Sequence, residues 1–215
     1  MYACPRAILL DLDGTLADSL PALRLAYRNF LEQFHVAATD AEFESINGPP
    51  LIEVVRKLKV THRLKDHEDA LVANYFAAVD RAYTDVTPCL GASDLLQKAK
   101  ANQCAIGLVT SNSTRRARTW LDAVAFSHWI DFIVSADEVQ HGKPDPEPYL
   151  LAATRACCPS STIVAVEDSL QGAQSAIAAG LKTYVLTGGL NQKRDEWPRG
   201  AQPIESLKFL SEQLW

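Results

Sequence analysis

A chain of 215 residues, 47% hydrophobic and 22% charged, can form one large domain or two small ones, either with a sizeable buried core. That apolar content and a net charge of only −5 exclude a disordered chain. The acidic balance also excludes general affinity for nucleic acid or anionic membranes, although a small anion needs only a local positive field.

The chain opens MYACPRAILLDLDGT. Its apolar stretch is too short to span a bilayer, and acids follow it at once. No secretory signal or membrane-length segment is visible, so a soluble, cytoplasmic protein is expected. Five cysteines (Cys4, Cys89, Cys104, Cys157 and Cys158) show no zinc or redox spacing and are read as reduced thiols.

A first buried strand is expected over Ala7 to Leu10, closed by Asp11. Helical patterns follow from Asp18 to Thr87. Leu20, Leu23, Tyr27, Phe30, Leu31 and Phe34 share one face, with Ser19 as N-cap and Pro21 in the first turn. Thr39 and Glu42 fit a capping box before a short helix that ends at Asn47-Gly48. Leu51, Val54, Val55 and Leu58 form a third stripe, and Ala70, Leu71, Asn74, Tyr75, Ala78, Val79 and Ala82 a fourth.

After Pro88, short apolar runs alternate with helical segments. The runs are Ala105 to Val109, Phe132 to Val134, Ile163 to Val166 and Thr183 to Leu186, the last ending in Thr187-Gly188-Gly189. Continuous apolar runs suit strands of a parallel sheet buried on both faces. Helices are expected near Thr114 to Ala125 and around Ala173, Ala176 and Ile177, the latter stopped by Gly180. Leu190 to Trp215 reads as turn-rich with a final helix. The fold class is therefore α/β: a Rossmann-like parallel sheet with helices on both faces and an inserted all-α cap. The core would be discontinuous, 1–17 and 88–215, with the cap over 18–87.

In such sheets ligands bind beyond the carboxyl ends of the strands, and polar residues collect there. Asp11 and Asp13 of DLDGT are two close carboxylates that need a cation, a shared proton or water. Mg²⁺ meets that need with oxygen ligands. A calcium loop does not fit, because Leu16 and Ala22 stand where it wants Gly and Glu. Thr110, Ser111 and Asn112 precede a helix and offer a phosphate cradle. Two prolines in GKPDP could hold Lys143 as a compact positive charge. Glu167 and Asp168 of VEDSLQG add carboxylates at a fourth strand end. Taken singly, these clusters read as a solvated turn, ordinary helix caps and an exposed lysine in a proline-rich loop.

Together and in this order, DLDGT, VTSN, GKPDP and VEDSLQG resemble the four motifs of the haloacid dehalogenase-like (HAD) hydrolase superfamily, over nearly the whole core. The helical insert resembles that family's type 1 cap. The resemblance implies that Asp11 is the nucleophile forming an aspartyl-phosphate, and that Asp13 is the general acid and base. It implies that Thr110, Ser111, Asn112 and Lys143 bind the phosphoryl group. It also implies that Asp11, Asp13 through its carbonyl, and Asp168 hold Mg²⁺, with Glu167 as companion. Asp13 speaks against dehalogenation, since the dehalogenases of the family generally lack it. A phosphonate route needs a cap lysine, and Lys57, Lys59 and Lys65 are expected to face solvent.

A phosphohydrolase acting on a small phosphorylated metabolite, phosphoglycolate- or sugar-phosphate-like, is expected. A sugar phosphomutase of the β-phosphoglucomutase type is the alternative, and a catalytically silent binding protein a third reading. Neither nucleic acid nor membrane is an expected partner, and monomer and homodimer stay open. Asn47-Gly48-Pro49-Pro50 reads as a specificity loop or a rigid turn, and the hinges are expected near Ala17-Asp18 and Thr87-Pro88. Arg115, Arg116 and Arg118 read as a solvated helix face.

Overall fold

The computed structural model describes residues 4–187 and 197–215. Six parallel strands, β1 (Ala7–Leu10), β2 (Ala105–Val109), β3 (Phe132–Val134), β4 (Ile163–Glu167), β5 (Lys182–Leu186) and β6 (Ala201–Ile204), pair in the order β3-β2-β1-β4-β5-β6. Alternate side chains of β1 enter different cores. Ile8 and Leu10 join one apolar cluster, and Ala7 and Leu9 join another on the opposite face. The first cluster takes in α5 (Ala92–Ala101), α6 (Thr114–Ala123) and α9 (Leu207–Leu214). The second is covered by α7 (Glu147–Arg155) and α8 (Leu170–Ala178). Burial on both faces explains why these strands read as unbroken apolar runs rather than alternating ones.

β6 departs from the expected turn-rich segment. Ala201-Gln202-Pro203-Ile204 lacks an apolar run, because it is the sheet's edge and only Ile204 is buried. An edge strand also tolerates proline, whose missing N–H can face outward. Gly188 and Gly189, expected to close β5, lie outside the described residues, as does part of the stretch after Leu190.

Four helices lie between β1 and α5: α1 (Leu20–Glu32), α2 (Asp40–Ile46), α3 (Leu51–His62) and α4 (Glu68–Ala82). The expected stripes run along their buried faces, with Tyr27, Phe30, Leu31, Val55, Leu58, Leu71 and Val79 buried, except that Ala70, in the first turn of α4, is exposed. α1 packs on α4, and α3 packs on α4. Two expected caps differ. Ser19 precedes α1, but its hydroxyl donates to Asp13 instead of capping the helix. The Thr39 hydroxyl does cap the Glu42 N–H, yet the Glu42 carboxylate accepts from Tyr27 and meets His62, so the box stays half-formed. The two connections between the helices and the sheet run side by side. Asp18 N–H donates to the Thr87 carbonyl at 2.9 Å, Ala17 bridges Pro88, and Cys89 N–H donates to the Leu16 carbonyl at 2.9 Å.

Candidate active site at the switch point of the sheet

β1 is flanked by β2 on one side and β4 on the other, so successive crossovers leave toward opposite edges of the sheet. This creates a crevice beyond the carboxyl end of β1. Asp11 is the first residue past that end, held by an N–H bond to the Val166 carbonyl at 3.0 Å. Lys143 arrives from the segment between β3 and α7, although 132 positions separate it from Asp11. Its Nζ donates to Asp11 Oδ1 at 2.5 Å, to Glu167 Oε1 at 2.5 Å and to the Val109 carbonyl at 2.9 Å. Lys143 is 5% exposed, and its ammonium ties the ends of β1, β2 and β4 together.

The carboxylates are not alike. Glu167 is fully buried, and three side chains satisfy it: Lys143, the Tyr149 hydroxyl at 2.7 Å, and the Ser169 hydroxyl on Oε2 at 3.2 Å. Asp168 Oδ2 is buried and has no hydrogen-bond partner. A Cβ at Gly14 would lie 2.0 Å from that same oxygen, and Gly14 has φ +79°, so glycine is required there on both counts. Asp11, Glu167 and Asp168 each offer an oxygen within 4.8 Å of the others. An all-oxygen donor set around an orphaned buried carboxylate oxygen fits a hard divalent cation such as Mg²⁺.

Burial pushes the carboxyls of Asp11 and Asp168 above the ordinary range, and repulsion from neighbouring carboxylates adds to it, while Lys143 opposes the rise. Burial works against the Lys143 ammonium too, but Asp11 and Glu167 outweigh it and hold its pKa above the usual lysine value.

Asp13 is held apart from this ammonium. Its Oδ1 accepts from the Ser19 hydroxyl at 2.5 Å and from Tyr83, and its Oδ2 accepts from Asn112 Nδ2. Burial raises this carboxyl as well, and the Ser19 and Tyr83 bonds moderate the shift. The Thr110 hydroxyl accepts the Asn112 N–H at 3.0 Å, which leaves its own proton for another acceptor. A cleft lined by Asp11, Asp13, Ser111, Asn112, Lys143 and Asp168 is roofed by Phe43, Ile46, Asn47, Gly48 and Pro49. The Asn47-Gly48-Pro49 turn thus lies against the acidic cluster. Lys57 and Lys59 instead bond backbone carbonyls of Ser45 and Asp66.

Sequence reasoning missed Tyr83, Tyr149 and Ser19 as neighbours of the site. It also read Arg116 as solvated, whereas Arg116 is 4% exposed and bonds Asn112 and Asp80. Asn112 lies before α6, so no helical spacing links it to Arg116, and the sequence carries no signal for the pair.

The comparisons agree with this geometry. A phosphorylated carbohydrates phosphatase of Thermotoga maritima is 29% identical over 97% of this chain and 99% of its own. A phosphoglycolate phosphatase of Pseudomonas savastanoi pv. phaseolicola is 30% identical over 96% of this chain and 78% of its own. The crystal structure of β-phosphoglucomutase from Clostridium difficile shares the fold with a TM-score of 0.83, covering 98% of this chain and 97% of its own at 18% identity. A family model for haloacid dehalogenase-like hydrolases matches residues 8–186, which run from the strand that presents Asp11 to the end of β5. With the sheet, the four strand-end clusters and that match in agreement, the chain belongs to the haloacid dehalogenase-like hydrolases.

Proposed function

We propose that this protein is a Mg²⁺-dependent phosphohydrolase that cleaves a small phosphomonoester through an aspartyl-phosphate on Asp11. The observation that carries the reading is the Asp11 carboxylate in contact with Lys143 beside the unpartnered oxygen of Asp168. A carboxylate cannot approach a phosphate dianion unless positive charge screens both. Asp11, the Asp13 carbonyl and Asp168 would hold the cation, with Glu167 beside them. When bound, Mg²⁺ supplies the positive charge that lowers repulsion between the nucleophile and the phosphoryl oxygens.

This chain's residues do the rest. Asp11 attacks phosphorus, and the phosphorus–oxygen bond to the leaving group breaks in line. Asp13 gives its proton to the departing oxygen, then takes one from the water that hydrolyses the acyl phosphate. Lys143 neutralises the nucleophile and then the transferring group. Thr110 donates its free hydroxyl proton to a phosphoryl oxygen, with Ser111 and Asn112 completing the cradle. Phe43, Ile46 and the Asn47–Pro49 turn of the helical cap cover the leaving group and exclude water.

A panel of phosphoglycolate, sugar phosphates and p-nitrophenyl phosphate with Mg²⁺ tests this by inorganic phosphate release. Turnover that vanishes in Asp11→Asn and in EDTA is the expected result. Turnover unchanged in Asp11→Asn overturns the nucleophile. A rearranged sugar phosphate in place of inorganic phosphate would assign a mutase, and no turnover of any ester a silent binding protein.

A further inference from the structure

We propose that Arg116 is a positioning residue for the carboxyl of Asp13, acting through the side chain of Asn112 and anchored to the helical segment by Asp80. The inference rests on the reading of Asp13 as the acid and base. Arg116 lies on α6, yet its guanidinium is withdrawn from solvent between the rings of Phe76, at 5.5 Å, and Tyr83, at 6.0 Å. A buried guanidinium is costly unless its donors are paired, and these are. Nε and Nη2 each meet Asp80 Oδ1 at 2.7 Å, and Nη1 donates to Asn112 Oδ1 at 2.7 Å.

The last bond fixes which way the Asn112 amide faces. A guanidinium has only donors, so the side of the amide turned to Arg116 must be the oxygen. The NH₂ is thereby turned to the opposite side, where it donates to Asp13 Oδ2 and to the Tyr83 hydroxyl at 3.2 Å. Tyr83 in turn donates to Asp13 Oδ1, which Ser19 also holds. Both oxygens of Asp13 are thus set by groups that lead back to Arg116 or to the turn following α4. Asp80, Phe76 and Tyr83 come from α4 and that turn, Asn112 from the end of β2, and Arg116 from α6. The chain Asp80–Arg116–Asn112–Asp13 therefore spans the helical segment and the sheet. A proton donor works only when its acidic oxygen is aimed at the leaving atom, so orientation at Asp13 is the quantity this chain controls.

The test compares kcat/KM for p-nitrophenyl phosphate, whose leaving group departs without a proton, with that for an alkyl phosphate, whose alkoxide needs one. General acid catalysis contributes roughly 10²–10⁴-fold, so partial misorientation in Arg116→Met or Asp80→Asn should cost the alkyl ester about tenfold more than the aryl ester. Asp13→Asn should show the same selectivity, larger. Asp80→Asn, which loosens the anchor of Arg116 and leaves Asn112 and Tyr83 in place, carries the test where Arg116→Met fails to fold. The ratio of the two esters cancels any loss of folded enzyme, so a merely structural role would leave it unmoved. Equal losses on both esters, with Asp13→Asn selective, would overturn the role of Arg116 alone. An Asp13→Asn variant without selectivity would overturn the acid–base reading and this inference with it.

Discussion

Replacing Lys143 with methionine removes the ammonium shared by Asp11 and Glu167 while keeping most of the side chain's volume. Three bonds are lost, at 2.5, 2.5 and 2.9 Å, in a site where Lys143 is 5% exposed. Removing one partner of a buried ion pair costs about 3–5 kcal/mol, because a desolvated charge is left behind. Two features place this case at the lower end. Glu167 keeps its bonds from Tyr149 and Ser169, and the raised Asp11 carboxyl can take up a proton. We expect a loss of about 3 kcal/mol in urea unfolding at neutral pH in EDTA, roughly a hundredfold in the folding equilibrium, with an unchanged dependence on denaturant. Mg²⁺ should recover more stability in the variant than in the parent if, as proposed, the same carboxylates hold it. Phosphate release should fall by at least about a hundredfold, the scale of losing one charge-stabilising donor. A stability loss below about 1 kcal/mol in EDTA would refute the reasoning, because it would mean that the carboxylates do not depend on this ammonium.

Other outcomes follow from neighbouring residues. Gly14→Ala places a methyl 2.0 Å from Asp168 Oδ2 at φ +79°, so it should cost about 1–2 kcal/mol from the backbone alone and weaken Mg²⁺ activation, read by thermal melting and by a Mg²⁺ titration of turnover. Without divalent ions the folded state binds protons more tightly than the unfolded chain at the raised Asp168 carboxyl. Its contribution is therefore full below the ordinary carboxylate range and is lost as pH rises through the elevated value. Asp168→Asn should accordingly gain on the parent in melting temperature as pH rises in EDTA, and a pH-independent difference would contradict this. Ser169→Ala loses the cap on the Gly172 N–H and a bond to Glu167, so it should lower stability by about 1 kcal/mol in chemical denaturation.

What the sequence disclosed followed burial. β1, β2 and β3 coincide with their apolar runs because every residue there packs against a neighbour on one face or the other, and the run registers that demand. β6 was illegible for the converse reason: an edge strand held by backbone bonds needs no apolar run. The acidic, hydroxyl and lysine positions were singled out because together they resemble the family's four motifs, and the structure brings Asp11, Asp13, Ser111, Asn112, Lys143 and Asp168 to one cleft. Tyr83 and Arg116 were hidden because their spacing matches ordinary helix faces. Only the meeting of the turn after α4 with Asn112 and with Arg116 of α6 turns an aromatic and a cation inward together. Ser19 was read as a cap because local rules favour it there, but its backbone is already helical and its hydroxyl turns to donate to Asp13 Oδ1.

The paired crossings at Ala17–Asp18 and Thr87–Pro88 carry a consequence for how such a chain diversifies. An excursion that departs and returns through one doorway adds no net displacement to the strand that must resume beyond it. Helices could be lengthened, replaced or re-angled within that excursion while the register of β1 against β2, from Ala7 opposite Ala105 onward, stayed as it is. Change in the helices and constancy in the sheet are compatible because the two segments share a threshold.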